Sequence, residues 1–193
     1  MVQTRQFLDM VIQVVLAITN LVSSSGVVAS DVSGVGTARF NIAASGYGTD
    51  TAIFGYGSVA SPGLSMTNLV SNVGVVATDT SGVGTARREL AAASYGGDKA
   101  IFGYGVISTQ SSLTNLVSNT GVVAADVTGV GTARTALAAA SYGGDKALFG
   151  YGSTGSVSSL TNLVSNSGVV ATDTTGVGTA RNNLTAAGYS QSA

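Results

Sequence analysis

The sequence is dominated by an internal repeat of about 47 residues that occurs four times. Its segment TNLVS begins at Thr19, Thr67, Thr114 and Thr161, so the spacings are 48, 47 and 47 residues. Residues 84–130 and 131–177 are identical at 36 of 47 positions, which indicates recent duplication of a single supersecondary unit. We therefore expect one compact array of equivalent units.

Each unit is predicted to contain four short strands. In the unit that follows Arg87, they cover residues 90–95, 99–104, 113–118 and 122–127. These runs are bounded by Gly, Asn, Asp and Ser, as strands usually are. The first run, LAAASY, has helical propensity, but its short length between glycine turns favours a strand. Four antiparallel strands in every unit of about 40 to 50 residues are typical of a β-propeller blade.

The order of these features resembles the kelch repeat. An arginine (Arg87) precedes the first strand, Phe102-Gly103-Tyr104-Gly105 closes the second, and the third leads into a polar turn at Asn119. Two features depart from that family, because its double glycine is split by Tyr104 and its fourth-strand tryptophan is absent. The amino-acid sequence of the units also resembles repeats found in structural proteins of tailed bacteriophages and environmental viruses. These resemblances imply an all-β propeller and a virion setting.

The chain begins and ends out of phase with its repeat. It starts just ahead of the third strand of the first unit (18–23) and stops after the first strand of the last (184–189). This offset predicts a kelch-like propeller of four four-stranded blades over residues 18–193, closed by the C-terminal strand, which removes exposed edges. Residues 1–17 are then a divergent strand or an arm that reaches a neighbouring subunit. A multi-chain ring and an open β-repeat array are the alternatives.

The composition excludes several kinds of function. Histidine and cysteine are absent, so Ser-His-Asp, Cys-His and His-ligated metal sites cannot form. Only 9% of the residues are charged and the net charge is −1, which argues against binding nucleic acid. The apolar run 10–18 is too short to span a membrane. We therefore predict no enzymatic activity, no cofactor, no metal, and neither nucleic acid nor membrane as a partner.

Most of the charged residues recur at equivalent positions of the repeat. A catalytic site is normally one asymmetric arrangement of residues. A set of charges that recurs in every unit is better explained as contacts that hold neighbouring blades together. The residues assigned to this role are Asp31, Arg39, Asp79, Arg87, Asp126, Arg134, Asp173 and Arg181. We expect Asp126 to pair with Arg134, eight residues further along the chain. The alternative is a ring of arginines that holds an anion.

The units differ mainly in two places, the segment between the second and third strands and the two residues after each arginine. In a four-stranded meander, both places lie at the same end of the blade, and binding usually resides on such loops. The candidate binding residues are Phe40, Asn41, Ser58, Val59, Ser61, Pro62, Arg88, Glu89, Val106, Ile107, Gln110, Thr154, Val157, Asn182 and Asn183. The alternative is that these loops are merely unconstrained.

The sequence thus predicts a non-enzymatic structural module that interacts with proteins. We expect a tail- or capsid-associated virion protein, with other structural proteins or copies of itself as partners, because a surface with so few charges suits burial in an assembly. The alternative is a lectin-like propeller that binds glycans weakly at one site in each blade. Recurring tyrosines such as Tyr104 and Tyr151 suit either packing between blades or stacking on sugars.

Overall fold

A computed structural model describes residues 16–188, which contain nine β-strands and no helix. The strands are β1 (Ala43–Tyr47), β2 (Thr51–Gly55), β3 (Thr67–Val70), β4 (Ala91–Tyr95), β5 (Lys99–Gly103), β6 (Thr114–Val117), β7 (Ala138–Tyr142), β8 (Lys146–Gly150) and β9 (Thr161–Val164). The all-β prediction is confirmed. The alanine-rich segments at β1, β4 and β7 are strands, and in β4 the alternate residues Ala91, Ala93 and Tyr95 are buried.

The strands form three separate antiparallel sheets, β1-β2-β3, β4-β5-β6 and β7-β8-β9. In the second sheet, Ala91 lies opposite Gly103, and Gly103 lies opposite Thr114 on its other side. The turn between β4 and β5 uses Gly96 and Gly97 at φ values of +63° and +80°. Glycine adopts such positive φ angles without steric cost, so the Gly-Gly-Asp segments close tight hairpins.

The fourth predicted strand of each unit is only partly formed. In the unit that follows Arg87, isolated bridges join Thr114 to Val127 and Val117 to Val123, without a continuous strand between them. The Asn115 side chain donates a hydrogen bond to the Ala124 carbonyl at 3.1 Å. A side chain therefore occupies part of the edge where a backbone ladder would otherwise run, so each sheet has three strands and a bridged edge segment.

The two ends of the repeat array are less regular than its middle. The predicted strand at 18–23 makes only the bridges of Thr19 to Val32 and Val22 to Val28, and no strand forms over residues 184–188. Residues 1–15 and 189–193, which include most of the predicted arm, lie outside the described residues. Within residues 16–188, no bridge or backbone hydrogen bond joins the first unit to the last.

Neighbouring sheets pack through their first strands and through an aromatic contact. β1 packs against β4, and β4 packs against β7. The Phe102 ring lies 5.2 Å from the Tyr56 ring of the preceding unit, and Phe149 lies 5.0 Å from Tyr104. A Cβ atom added to Gly103 would lie 2.6 Å from Cζ of Phe149. Gly55 and Gly103, which precede Tyr56 and Tyr104, thus leave room for the phenylalanine of the next unit.

No helix among residues 16–188 has the length and hydrophobicity required to cross a membrane.

Candidate interaction face and the junctions that support it

A buried arginine forms the centre of each junction between units. Arg87 has no exposed side-chain surface, and its guanidinium lies 4.8 Å from the centre of the Tyr56 ring of the preceding unit. Its Nη2 donates to Oδ1 of Asn115, and its Nη1 lies 3.3 Å from Oδ1 of Asp126. Asn115 also donates to Asp126, at 2.9 Å. Buried charges require this kind of partnership, because an unpaired ion would be costly to desolvate.

The recurrence of the segment GVGTAR in the repeat has a structural explanation at the same junction. The Thr85 amide and hydroxyl donate to Oδ2 of Asp126 at 3.0 and 2.6 Å. Gly84 adopts a φ of +79°, and a Cβ atom there would lie 2.3 Å from Oδ1 of Asp126. Only glycine therefore allows this close approach of the backbone to the carboxylate. We call the set Thr85, Arg87, Asn115 and Asp126 a junction cluster.

One further junction cluster repeats this geometry in full, and another repeats it without the ion pair. One consists of Thr132, Arg134, Asn162 and Asp173, with Arg134 and Asp173 3.4 Å apart. The other consists of Thr37, Arg39, Asn68 and Asp79, in which Arg39 is only half-buried and also donates to the Met66 carbonyl at 2.7 Å.

The expected pairing of Asp126 with Arg134 is wrong. Arg87 and Arg134 each precede the first strand of a unit and pair with the aspartate after the third strand of that same unit, 39 residues later. The meander brings these distant segments together, whereas Asp126 and Arg134 belong to successive clusters. The arginine-ring alternative also fails for Arg87 and Arg134, because neither side chain has exposed surface to offer an anion.

The asparagine of TNLVS is a functional position that the charge pattern did not reveal. Asn115 and Asn162 are fully buried, and each bridges an arginine and an aspartate. The available signal was the recurrence of asparagine at one position of a short strand, because a buried polar group needs hydrogen-bond partners.

The junction carboxylates are held in their ionised form. Desolvation is the largest single influence and raises the pKa of Asp126, but hydrogen bonds from Thr85 and Asn115 and the charge of Arg87 together outweigh it. The pKa of Asp126 therefore lies below its ordinary value, and the same balance lowers the pKa of Asp173 and of Asp79. Burial beneath Phe102 and Phe149 raises the pKa of Tyr56 and Tyr104 to about 12.

This balance predicts loss of stability in acid. A carboxyl group whose pKa is lowered on folding stabilises the fold above its ordinary pKa, and this contribution disappears as the pH falls through the folded value. We expect the thermal midpoint to be steady from about pH 7 to about pH 5 and to decrease below about pH 4. In the Asp126→Asn variant the midpoint is lower at pH 7, but its decrease in acid is smaller. Circular dichroism melts across this range would contradict the assignment if the two curves ran parallel.

The segments that vary between units lie next to each other on the scaffold. The residue after each arginine forms a bridge with the start of the loop that follows the second strand, namely Phe40 with Ser58, Arg88 with Val106, and Thr135 with Ser153. In the second pair, each residue donates a backbone hydrogen bond to the other, at 3.2 and 2.9 Å. We call the segments 40–41, 58–65, 88–89, 106–112, 135–136, 153–159 and 182–183 the variable face.

A line of hydrogen bonds runs across the variable face from unit to unit. Glu89 donates its amide proton to the carbonyl of Asn41, Ala136 donates to Glu89, and Asn183 donates to Ala136, at 2.9 to 3.2 Å. All four residues have φ between +52° and +56°, a left-handed conformation that is uncommon outside glycine. Their conformation is therefore imposed by the fold, and it fixes the spacing of neighbouring variable segments.

The candidate binding residues differ in how far they reach solvent. Those with exposed side chains are Asn41, Val59, Ser61, Pro62, Thr154, Val157, Asn182 and Asn183. Those that are half-buried are Phe40, Arg88, Glu89, Val106, Ile107 and Gln110, whereas Ser58 is buried. Among residues 16–188, the one charged pair peculiar to a single unit is Arg88–Glu89, at 3.7 Å, and Thr135 of the next unit donates to Glu89 at 2.7 Å. These charges are partly used in holding the face together.

No protein-family model matches the chain, and no curated protein is significantly similar to it. In the part of the chain that the structure describes, no cluster of three or more acidic side chains is arranged to hold a metal ion.

Proposed function

We propose that this chain is a non-enzymatic structural module that binds another protein through its variable face. One observation carries the proposal. Segments that are far apart in the sequence and differ between units are bridged to one another, while the residues beneath them are constant. A rigid scaffold with changeable loops is a common arrangement for recognition.

The use of the recurring charges also supports a structural role. Arg87 and Arg134 are committed to buried junction clusters, so they are not available to bind a substrate. We further propose that the units are blades of a β-propeller and that the protein is a component of a virion. The side-by-side packing of β1, β4 and β7, with the later strands of each unit further away, supports the first point. The resemblance to phage structural repeats supports the second.

The carbohydrate alternative lacks a comparable observation. Tyr56 and Tyr104 are fully buried, and each lies between an arginine of the next unit and a phenylalanine. These rings cannot stack on a sugar. Absence of any binder on a glycan array would be the expected result.

Site-specific crosslinking tests the proposed binding face. A photoreactive amino acid is placed at Val157 on the variable face or at Val122, a valine that recurs in every unit; these residues are 53% and 65% exposed. In an extract of the natural source, we expect crosslinks from position 157 to one defined protein other than this chain, and at least tenfold fewer from position 122. Equal labelling from both positions would contradict the proposal.

A further inference from the structure

The two ends of the repeat array carry complementary halves of one junction cluster. At the C-terminal end, Gly178, Thr179 and Arg181 repeat the positions of Gly84, Thr85 and Arg87. At the N-terminal end, Asn20 and Asp31 repeat the positions of Asn115 and Asp126. Each internal cluster takes its glycine, threonine and arginine from one of these sets and its asparagine and aspartate from the other. The N-terminal end therefore lacks the glycine, threonine and arginine of a junction cluster, and the C-terminal end lacks the asparagine and aspartate.

The C-terminal half of the junction cluster is preformed, but it has no partner within residues 16–188. The Arg181 guanidinium lies 4.2 Å from the centre of the Tyr151 ring, as Arg87 and Arg134 lie over Tyr56 and Tyr104. Arg181 is nevertheless exposed, and it makes no ion pair with the described residues. At Gly178, φ is +86°, yet no carboxylate approaches, and the nearest atom to an added Cβ is the Tyr151 hydroxyl at 3.8 Å.

The N-terminal half is also preformed. Asn20 donates to the Ala29 carbonyl at 3.0 Å and to Oδ1 of Asp31 at 2.9 Å. These bonds match those of Asn115, which donates to Ala124 and Asp126 at 3.1 and 2.9 Å. However, Asn20 and Asp31 are both exposed, whereas Asn115 is fully buried. Their oxygens therefore face solvent in the place where an arginine and a threonine would donate.

Apolar contacts are divided between the ends in the same way. The leucine of each TNLVS segment packs against a glycine of the next unit, as Leu69 does with Gly121 and Leu116 with Gly168. At the C-terminal end, no atom of Leu163 is among the nearest neighbours of any glycine in the described residues. At the N-terminal end, the equivalent glycine, Gly26, has no atom within 4 Å of an added Cβ. The missing partner of each of these residues is thus present at the opposite end.

We infer that a second copy of this chain docks head-to-tail, with Asn20 and Asp31 of one copy completing the junction cluster of Thr179 and Arg181 in the other. The contact continues an interface that the chain already uses between its own units, which identifies the occupant. A heterologous contact of this kind gives a closed ring if the rotation closes and a filament if it does not. The inference extends the proposed structural function, but it uses the ends of the array instead of the variable face.

Complementation between two variants tests this contact. Arg181→Ala removes the C-terminal half, and Asp31→Ala removes the N-terminal half, while each variant keeps the other half. By sedimentation velocity, we expect the wild type to form dimers or larger multiples of the 18.9 kDa chain, and each variant alone to be a monomer. An equal mixture of the two variants forms a dimer, because one intact joint is restored. Lys146→Ala, an exposed control at a repeat position, retains the wild-type mass.

Several results would overturn the inference. A wild type that is monomeric at every concentration would mean that no second copy docks, whether or not the ends meet within one chain. Unchanged mass of the Arg181→Ala variant, or failure of the mixture to dimerise, would exclude this joint. Far-UV circular dichroism checks folding, and Leu163→Ser provides a second variant of the same end. Crosslinking at Val157 reports on the variable face separately, so either proposal can fail while the other stands.

Discussion

Replacement of Arg134 by alanine is expected to lower the free energy of unfolding by about 3 kcal/mol, the lower end of the range for breaking a buried ion pair, because Asp173 keeps part of its side chain in solvent. Arg134 has no exposed side-chain surface. Its loss leaves Asn162, Asp173 and the face of the Tyr104 ring without their partner. Lysine at this position also lowers stability, since it cannot contact the amide, the carboxylate and the ring with one planar group. Urea denaturation of the intact chain measures both effects.

The chain provides a matched control for this substitution. Arg181 has the same sequence context and stacks on Tyr151, but it has no carboxylate partner among the described residues. Arg181→Ala should therefore cost no more than about 1 kcal/mol, the scale of an exposed cation–π contact. Both variants are measured at concentrations where the chains are monomeric, because self-association changes apparent stability. Equal losses in the two variants would show that the buried cluster contributes nothing beyond ring stacking.

Replacement of Gly103 by alanine is expected to destabilise the protein by about 1–3 kcal/mol, the usual cost of overpacking a core. The added methyl group would lie 2.6 Å from the Phe149 ring, which is fully buried and can shift only by disturbing its neighbours. The ring must therefore move away from Tyr104, and the packing between the β4-β5-β6 and β7-β8-β9 sheets loosens. Thermal and urea unfolding would both record the loss.

Replacement of Gly150, the equivalent residue of the next unit, by alanine is expected not to destabilise the protein. Its nearest neighbours to an added Cβ are side-chain atoms of Thr161 and Leu148, at 3.4 and 3.5 Å. Alanine fits there and reduces the flexibility of the unfolded chain, so we expect stability to be unchanged or raised by up to about 1 kcal/mol. A destabilisation as large as that of Gly103→Ala would indicate that strand geometry, rather than the phenylalanine of the next unit, requires glycine.

Sequence reasoning located the three strands of each sheet, because the repeat shows the same local pattern several times. The alanine-rich strand β4 follows from its length and its glycine turns, and its alternating burial agrees. The fourth strand was predicted as continuous and is not, because the Asn115 side chain takes the carbonyl of Ala124. Periodicity in a sequence does not indicate when a side chain will replace a backbone partner.

The junctions were harder to predict than the strands. The role of Arg87 and Asp126 as fasteners follows from their recurrence, but their pairing depends on how the meander folds back. Proximity in the sequence favoured Arg134 for Asp126, whereas the register of β4, β5 and β6 places Asp126 beside Arg87. Buried asparagine carries no charge and resembled an ordinary polar residue near a turn. Spatial neighbours of this kind are fixed by topology, which a single sequence does not contain.

The identity of the successive junctions also has a genetic consequence. Every internal cluster uses the same four residue types, so each unit fits the next irrespective of its place in the chain. Unequal recombination that removes or inserts one whole unit would leave every remaining junction complete. The variable segments travel with their own unit and would be shuffled without disturbing the contacts below them. Related genes are therefore expected to differ in length by multiples of about 47 codons, and mainly within these segments.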